Sequence, residues 1–227
     1  MAKIAYALAA AAGNAAGFEV EFFGYNRVNW GEPTGTNNTI SFPSGTQVGD
    51  VAICMGISNN GSAPYPSGWL GGARYDSTFE AQISAKVLNS TDISVGTVQY
   101  TDSTRSDTEN APWKAGFVVV FRPTADVSIS WRSATAQLYT GNISLSSATT
   151  IYSVDVATME SYATSVIGDI LGTWDYNVGY NAPNYMNSQF AYLFNTSQVG
   201  SKTVQFNNSG RSTYDVTAAG RLEISEV

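Results

Sequence analysis

Five consecutive apolar residues, Val51-Ala52-Ile53-Cys54-Met55, stand between a Gly49-Asp50 turn and a polar stretch, Asn59-Asn60-Gly61-Ser62. Side chains of a strand alternate between two faces, so a strand with no polar position has to be covered on both sides. A buried helical segment would also tolerate these residues. The run is short, however, and Gly, Asn and Pro flank it, which favours the strand. The stretch closes on Pro64-Tyr65-Pro66-Ser67-Gly68-Trp69, an aromatic-anchored loop. A second run of the same kind, Gly116-Phe117-Val118-Val119-Val120-Phe121, is stopped by Arg122-Pro123. Both runs are expected to be central strands, with Val118 and Val120 facing one side and Phe117, Val119 and Phe121 the other.

Elsewhere the pattern is alternation. Phe18, Val20 and Phe22 share one face of a strand whose other face carries Glu19, Glu21 and Phe23, and Val127, Ile129 and Trp131 alternate with serines. Further strands are expected at 39–42, 79–88, 94–100, 137–145, 150–156, 165–174, 189–194, 202–206 and 222–225. Polar loops are expected at 26–38, 101–112 and 176–187. That makes about a dozen strands, with no amphipathic helix beyond the first residues. No linker or charge run divides the chain. The expectation is an all-β, two-sheet antiparallel sandwich of jelly-roll-like form, a single domain over residues 18–227 preceded by an arm, Met1 to Gly17.

Composition agrees with strands and turns: 13 Tyr, 10 Phe, 5 Trp and 21 Gly against only 13% charged residues. A net charge of −7 with 11 scattered Lys and Arg argues against a nucleic-acid partner. The chain has no His, which removes Ser-His-Asp and Cys-His catalysis and the common zinc sites. Cys54, the single cysteine, has no partner for an intrachain disulfide and reads as a small buried hydrophobe. No cofactor is expected. The start, MAKIAYALAAAAGNAAG, has the outline of a secretory leader but is expected to remain in the mature chain, and it is too short for a helix to span a bilayer. Ile4, Tyr6 and Leu8 alternate with Ala5, Ala7 and Ala9, which fits a strand, while the alanine content fits a helix. Either way these three residues are candidates for an assembly arm.

The succession Thr39-Ile40-Ser41-Phe42-Pro43, Gly49-Asp50-Val51, Pro66-Ser67-Gly68-Trp69 and Ala115 to Arg122 resembles a β-sandwich module of tailed-bacteriophage virion proteins. There a strand ends at a proline, a Gly-Asp turn opens the core strand, a Pro-x-Gly-Trp loop anchors its far end, and an apolar strand closing on Arg ends the first half. The resemblance covers Phe18 to Arg122, with a weaker echo in the C-terminal half, and departs at Pro123, where the family carries Gly. It implies a structural virion protein, tail- or fibre-associated or decorating the shell, assembled in the host cytoplasm and acting through contact rather than chemistry. The partners it implies are other virion proteins, further copies of the chain and a cell-surface glycan. Similar modules in bacterial surface proteins give the alternative, a carbohydrate-binding module or accessory subunit of a secreted protein.

Catalytic and metal sites find little support. Glu19 and Glu21 lie about 7 Å apart on one strand face and point the same way, not across a substrate. Asp102, Asp107 and Glu109 lack calcium-loop spacing. Six Asn-x-Ser/Thr triplets, at Asn37, Asn60, Asn89, Asn142, Asn195 and Asn207, read as turn chemistry. The candidate contact residues are aromatic: Tyr65 and Trp69 in one loop, and Trp174, Tyr176, Tyr180 and Tyr185 in another. For Trp69, a plug in the core is favoured over a ligand contact.

Overall fold

The computed structural model describes residues 17–29, 37–59, 65–75, 79–101, 113–138, 141–161, 169–181, 187–207 and 215–227. Ile4, Tyr6, Leu8, Tyr185, Asp102, Asp107 and Glu109 lie outside the described residues. In the first half the strands are β1 (Val20–Asn29), β2 (Asn37–Ser41), β3 (Val51–Asn59), β4 (Leu70–Tyr75), β5 (Phe79–Val87), β6 (Thr97–Thr101) and β7 (Trp113–Pro123), with a short helix α1 (Ser90–Val95) before β6. The second half holds β8 (Val127–Leu138), β9 (Ile143–Leu145), β10 (Tyr152–Ser161), β11 (Asp169–Leu171), β12 (Tyr176–Asn181), β13 (Asn187–Asn195), β14 (Lys202–Asn207) and β15 (Val216–Glu226).

These form an all-β sandwich of two antiparallel five-stranded sheets, ordered β1-β7-β3-β5-β4 and β12-β13-β10-β15-β8. The main core between them holds Val51, Ile53, Met55, Phe117, Val119 and Phe121 from the first sheet and Val154, Val156, Phe190 and Leu222 from the second. Each sheet is also covered outside. The β2-β6 pair and Ile93 of α1 bury Ala52, Cys54, Val118 and Val120, and the β11-β14-β9 sheet buries Ala157, Met159, Ala191 and Ala219. That second covering is why the runs at Val51 and Phe117 carry no polar position, and the split of Phe117, Val119 and Phe121 from Val118 and Val120 is the expected one.

The connectivity keeps each large sheet to one half of the chain, and within each half the chain steps from the large sheet to its small outer sheet and back, at β2 and β6 in the first half and at β9 and β14 in the second. Reading the second sheet backwards, β8-β15-β10-β13-β12, reproduces β1-β7-β3-β5-β4 step for step, and β9-β14 stands where β2-β6 does. Register repeats as well as order. Ile40 pairs with Val98 and Ile143 with Val204, while Val51 opposes Phe121 and Val156 opposes Gly220. Short sequence matches mark the same places: Asp50-Val51-Ala52 with Asp155-Val156-Ala157, and Thr97-Val98-Gln99 with Thr203-Val204-Gln205. The second half thus repeats the first, with β11 having no counterpart among the described residues of the first half.

Several local expectations change: β1 runs through Asn29 into the expected loop, and the strand expected at 165–174 is, among the described residues, strand only over Asp169–Leu171. Residues 176–181 form strand β12, because the packing of Tyr176 and Val178 beside Tyr192 and Phe190 outweighs the poor strand propensity of Asn and Gly. Leu70–Tyr75 is also a strand, although two adjacent glycines obscure it. Both glycines serve close approach: a Cβ on Gly71 would collide with the Tyr65 ring, and one on Gly72 would lie 2.6 Å from the Trp131 indole. The turn at Asn89 opens α1, whose first turn is closed by a capping box between Asn89 and Asp92 and whose end is set by Gly96 at φ 72°. Residues 137–145 are divided between β8 and β9.

Candidate contact surface

Three of the aromatic residues singled out in the sequence, Tyr65, Trp69 and Trp174, pack against their own sheets. Trp69 follows Gly68, at φ 78°, donates its backbone N–H to Pro66 O at 3.0 Å, and packs half-buried into the outer core of the first sheet with Ile40 and Leu88. Tyr65 lies on Gly71, and burial pushes its phenol upward, with the charge of Arg74 opposing the shift. Trp174 plays the part of Trp69 in the second half. It precedes the edge strand β12, packs into the outer core of its own sheet, donates its indole N–H to Leu171 O at 3.2 Å, and carries Lys202 Nζ 3.8 Å from its ring centroid.

Tyr176 belongs elsewhere. Only two residues beyond Trp174, it faces the opposite side of the second sheet, so the structure separates this pair instead of clustering it. Its ring meets Tyr25 of β1 at 4.4 Å and Phe117 at 5.2 Å, and stacks on Tyr192 at 5.8 Å. Phe22, two positions before the β1 bulge ends at Gly24, stacks on Tyr192 at 5.7 Å. Tyr180 lies further along β12, opposite Ser188.

The two flanks of the sandwich therefore differ. On one, β4 lies by β8, and Trp131 closes the gap, set against Gly72 and Gly220 with its indole N–H on Leu70 O at 3.2 Å. On the other, where β1 meets β12, the rings of Phe22 and Tyr25 remain 43% and 38% exposed over the Tyr176, Tyr192 and Phe117 stack. The sequence analysis did not single out Phe22 and Tyr25, whose rings the fold leaves partly exposed. The concentration of aromatics at Phe18, Phe22, Phe23 and Tyr25 was the available signal.

The ends of the sandwich differ too. Gly17 O accepts from Thr124 Oγ1 at 3.0 Å and Val227 N donates to Asp126 O at 3.1 Å, so both described chain ends sit beside the β7–β8 link. At the opposite end, where β3, β10 and β12 finish and β5, β7, β13 and β15 start, buried polar residues gather: Glu80, Gln82, Thr158, Glu160, Ser188 and Thr217. Neither amide atom of Gln82 nor the hydroxyls of Thr158 and Thr217 meet a hydrogen-bond partner.

Charge chemistry is spent on structure. Glu21 and Glu19 are exposed, and Glu21 sits opposite Arg122, whose guanidinium binds Asp50 at 2.9 and 2.8 Å and Gly45 O at 2.8 Å. That clamp explains why the Gly-Asp turn and the Arg at the end of the apolar strand occur together. At its triplet Asn89 serves as the N-cap of α1, its side chain accepting from Thr91 N and Asp92 N. Among the described residues no group of three or more His, Cys, Asp or Glu is placed to hold a metal ion, and no helix is long and apolar enough to cross a membrane. No protein-family model, curated protein or solved structure matches the chain.

Proposed function

We propose that this chain is a structural component of a tailed-phage virion, tail- or fibre-associated or capsid-decorating, that works by contact through the aromatic flank between β1 and β12. The observation carrying the contact surface is the pair Phe22 and Tyr25, large rings held about half in water on a prepacked aromatic base. Rings pre-ordered by stacking lose little conformational freedom on binding, and buried aromatics dominate interface energies. Virion membership rests on the resemblance of the first half, in which Arg122 binds Asp50 and Trp69 N donates to Pro66 O.

The test is a Phe22→Ser, Tyr25→Ser double variant, followed both by circular dichroism and by its share in purified particles. The expected result is a folded protein that is lost from particles carrying the parent. Absence of the parent from every particle, or equal incorporation of the variant, would overturn the proposal. A glycan that binds the parent but not the variant, with no particle association, would instead support the carbohydrate-binding reading.

A further inference from the structure

The inner faces of the two large sheets pack on each other, and the chain passes between these sheets once, at Thr124–Asp126. The two sides of that link belong to different halves. Thr124 N donates to Glu19 O at 2.9 Å and Thr124 Oγ1 accepts from Glu19 N at 2.9 Å, while Asp126 O accepts from Val227 N. Ala125 is the joint between them. On either side of it the strand order and register repeat, and so does a polar device: Arg122 binds Asp50 through Nε and Nη2, and Arg221 binds Asp155 through the same two nitrogens.

Each half has its own outer core, independent of the other half. What neither half has alone is a cover for its inner face. Phe117, Phe121 and Ile53 on one side meet Phe190, Phe194 and Val156 on the other, with ring centroids of Phe121 and Phe194 4.9 Å apart. We infer that the protein is a fused dimer of one interaction unit, and that the inner face of each unit recognises a second unit of the same topology. The link at Ala125 raises the effective concentration of the two units but does not hold them together. The partner this face fits is another such unit rather than a peptide or a small ligand, because the face spans a whole five-stranded sheet and is covered by the corresponding sheet of its repeat.

Two forms of the full chain test this. In the first, a protease site is inserted after Ala125 and cut to completion. The fragments are expected to elute as one 1:1 species with the parental circular dichroism and to re-form that species after dilution from denaturant. In the second, Val227 is joined to Met1 so that residues 1–16 serve as the joint, and the chain opens between Ala125 and Asp126. Because Gly17 and Val227 already flank the link, this permuted chain is expected to fold with an unfolding midpoint close to the parent's. Cut fragments that separate or aggregate under native conditions, or a permuted chain that does not fold, would show one continuous fold and overturn the inference.

Discussion

Arg221 and Asp155 stand in the second half where Arg122 and Asp50 stand in the first, but the later pair is sealed in, with both side chains 1% exposed, whereas Arg122 is 23% exposed. Each arginine also ties down the chain entering its central strand, Arg122 through Gly45 O and Arg221 through Ser146 O, and Arg221 holds Gly200 O ahead of β14 as well. The same geometry therefore has unequal worth. Arg221→Ala removes both close hydrogen bonds from the buried Asp155 carboxylate, leaves it with Lys202 at 3.8 Å, and is expected to cost about 3–5 kcal/mol. Arg122→Ala opens its site toward water and is expected to cost about 1–3 kcal/mol. Urea unfolding of the two variants measures the order, and equal losses would contradict it.

Val119 lies wholly inside the main core on the strand between β1 and β3. Val119→Asp should unfold the chain, because an unpaired buried carboxylate costs several kcal/mol against a total stability of about 5–15 kcal/mol. Far-ultraviolet circular dichroism and thermal melting check this. A parental melting curve would refute the central-strand assignment.

Cys54 sits on the outer face of β3 beneath Ile40 and Val98, fully buried. A thiol reagent is expected to leave the native protein unlabelled and to react once denaturant is added. Fast labelling without denaturant would mean that the β2-β6 cover lifts readily from its sheet.

Lys202 rests on the Trp174 ring with Nζ 3.8 Å from Asp155, whose carboxylate is already engaged by Arg221. Burial lowers its pKa from the usual lysine value, with Asp155 opposing and Arg221 reinforcing the shift. In the pH range between the lowered folded value and the ordinary unfolded one, the unfolded chain binds more protons, so stability rises with pH there. Melting temperatures of the parent should therefore climb through the alkaline range just below the ordinary lysine pKa. Lys202→Met should flatten that climb, and an unchanged slope would locate its origin elsewhere.

The central strands were legible because a strand apolar at every position has few alternatives, and the two-sheet sandwich followed from the alternation around them. The outer sheets were not inferred, although the second polar-free face of Ala52, Cys54, Val118 and Val120 already required them. Strand β4 was hidden because its glycines are demanded by rings far away in sequence, Trp131 above all. The duplication was faint because equivalent positions diverged. By register, Ile53 and Met55 of the first half correspond to Thr158 and Glu160 of the second, and apolar matching fails there. The aromatic flank was only partly readable: Tyr176 was named, but its neighbours Phe22, Tyr25 and Tyr192 come from strands that only the fold brings together.

Gly17 and Val227 leave the sandwich side by side, one from each sheet. Tension applied between these ends would pry the sheets apart from one end, opening contacts in succession like a zipper. Strands loaded lengthwise in opposite directions would instead share the force among many hydrogen bonds at once. A chain built this way is mechanically soft along the line joining its ends. A pull applied between Gly17 and Val227 would therefore meet less resistance than one applied across the broad faces of the sheets.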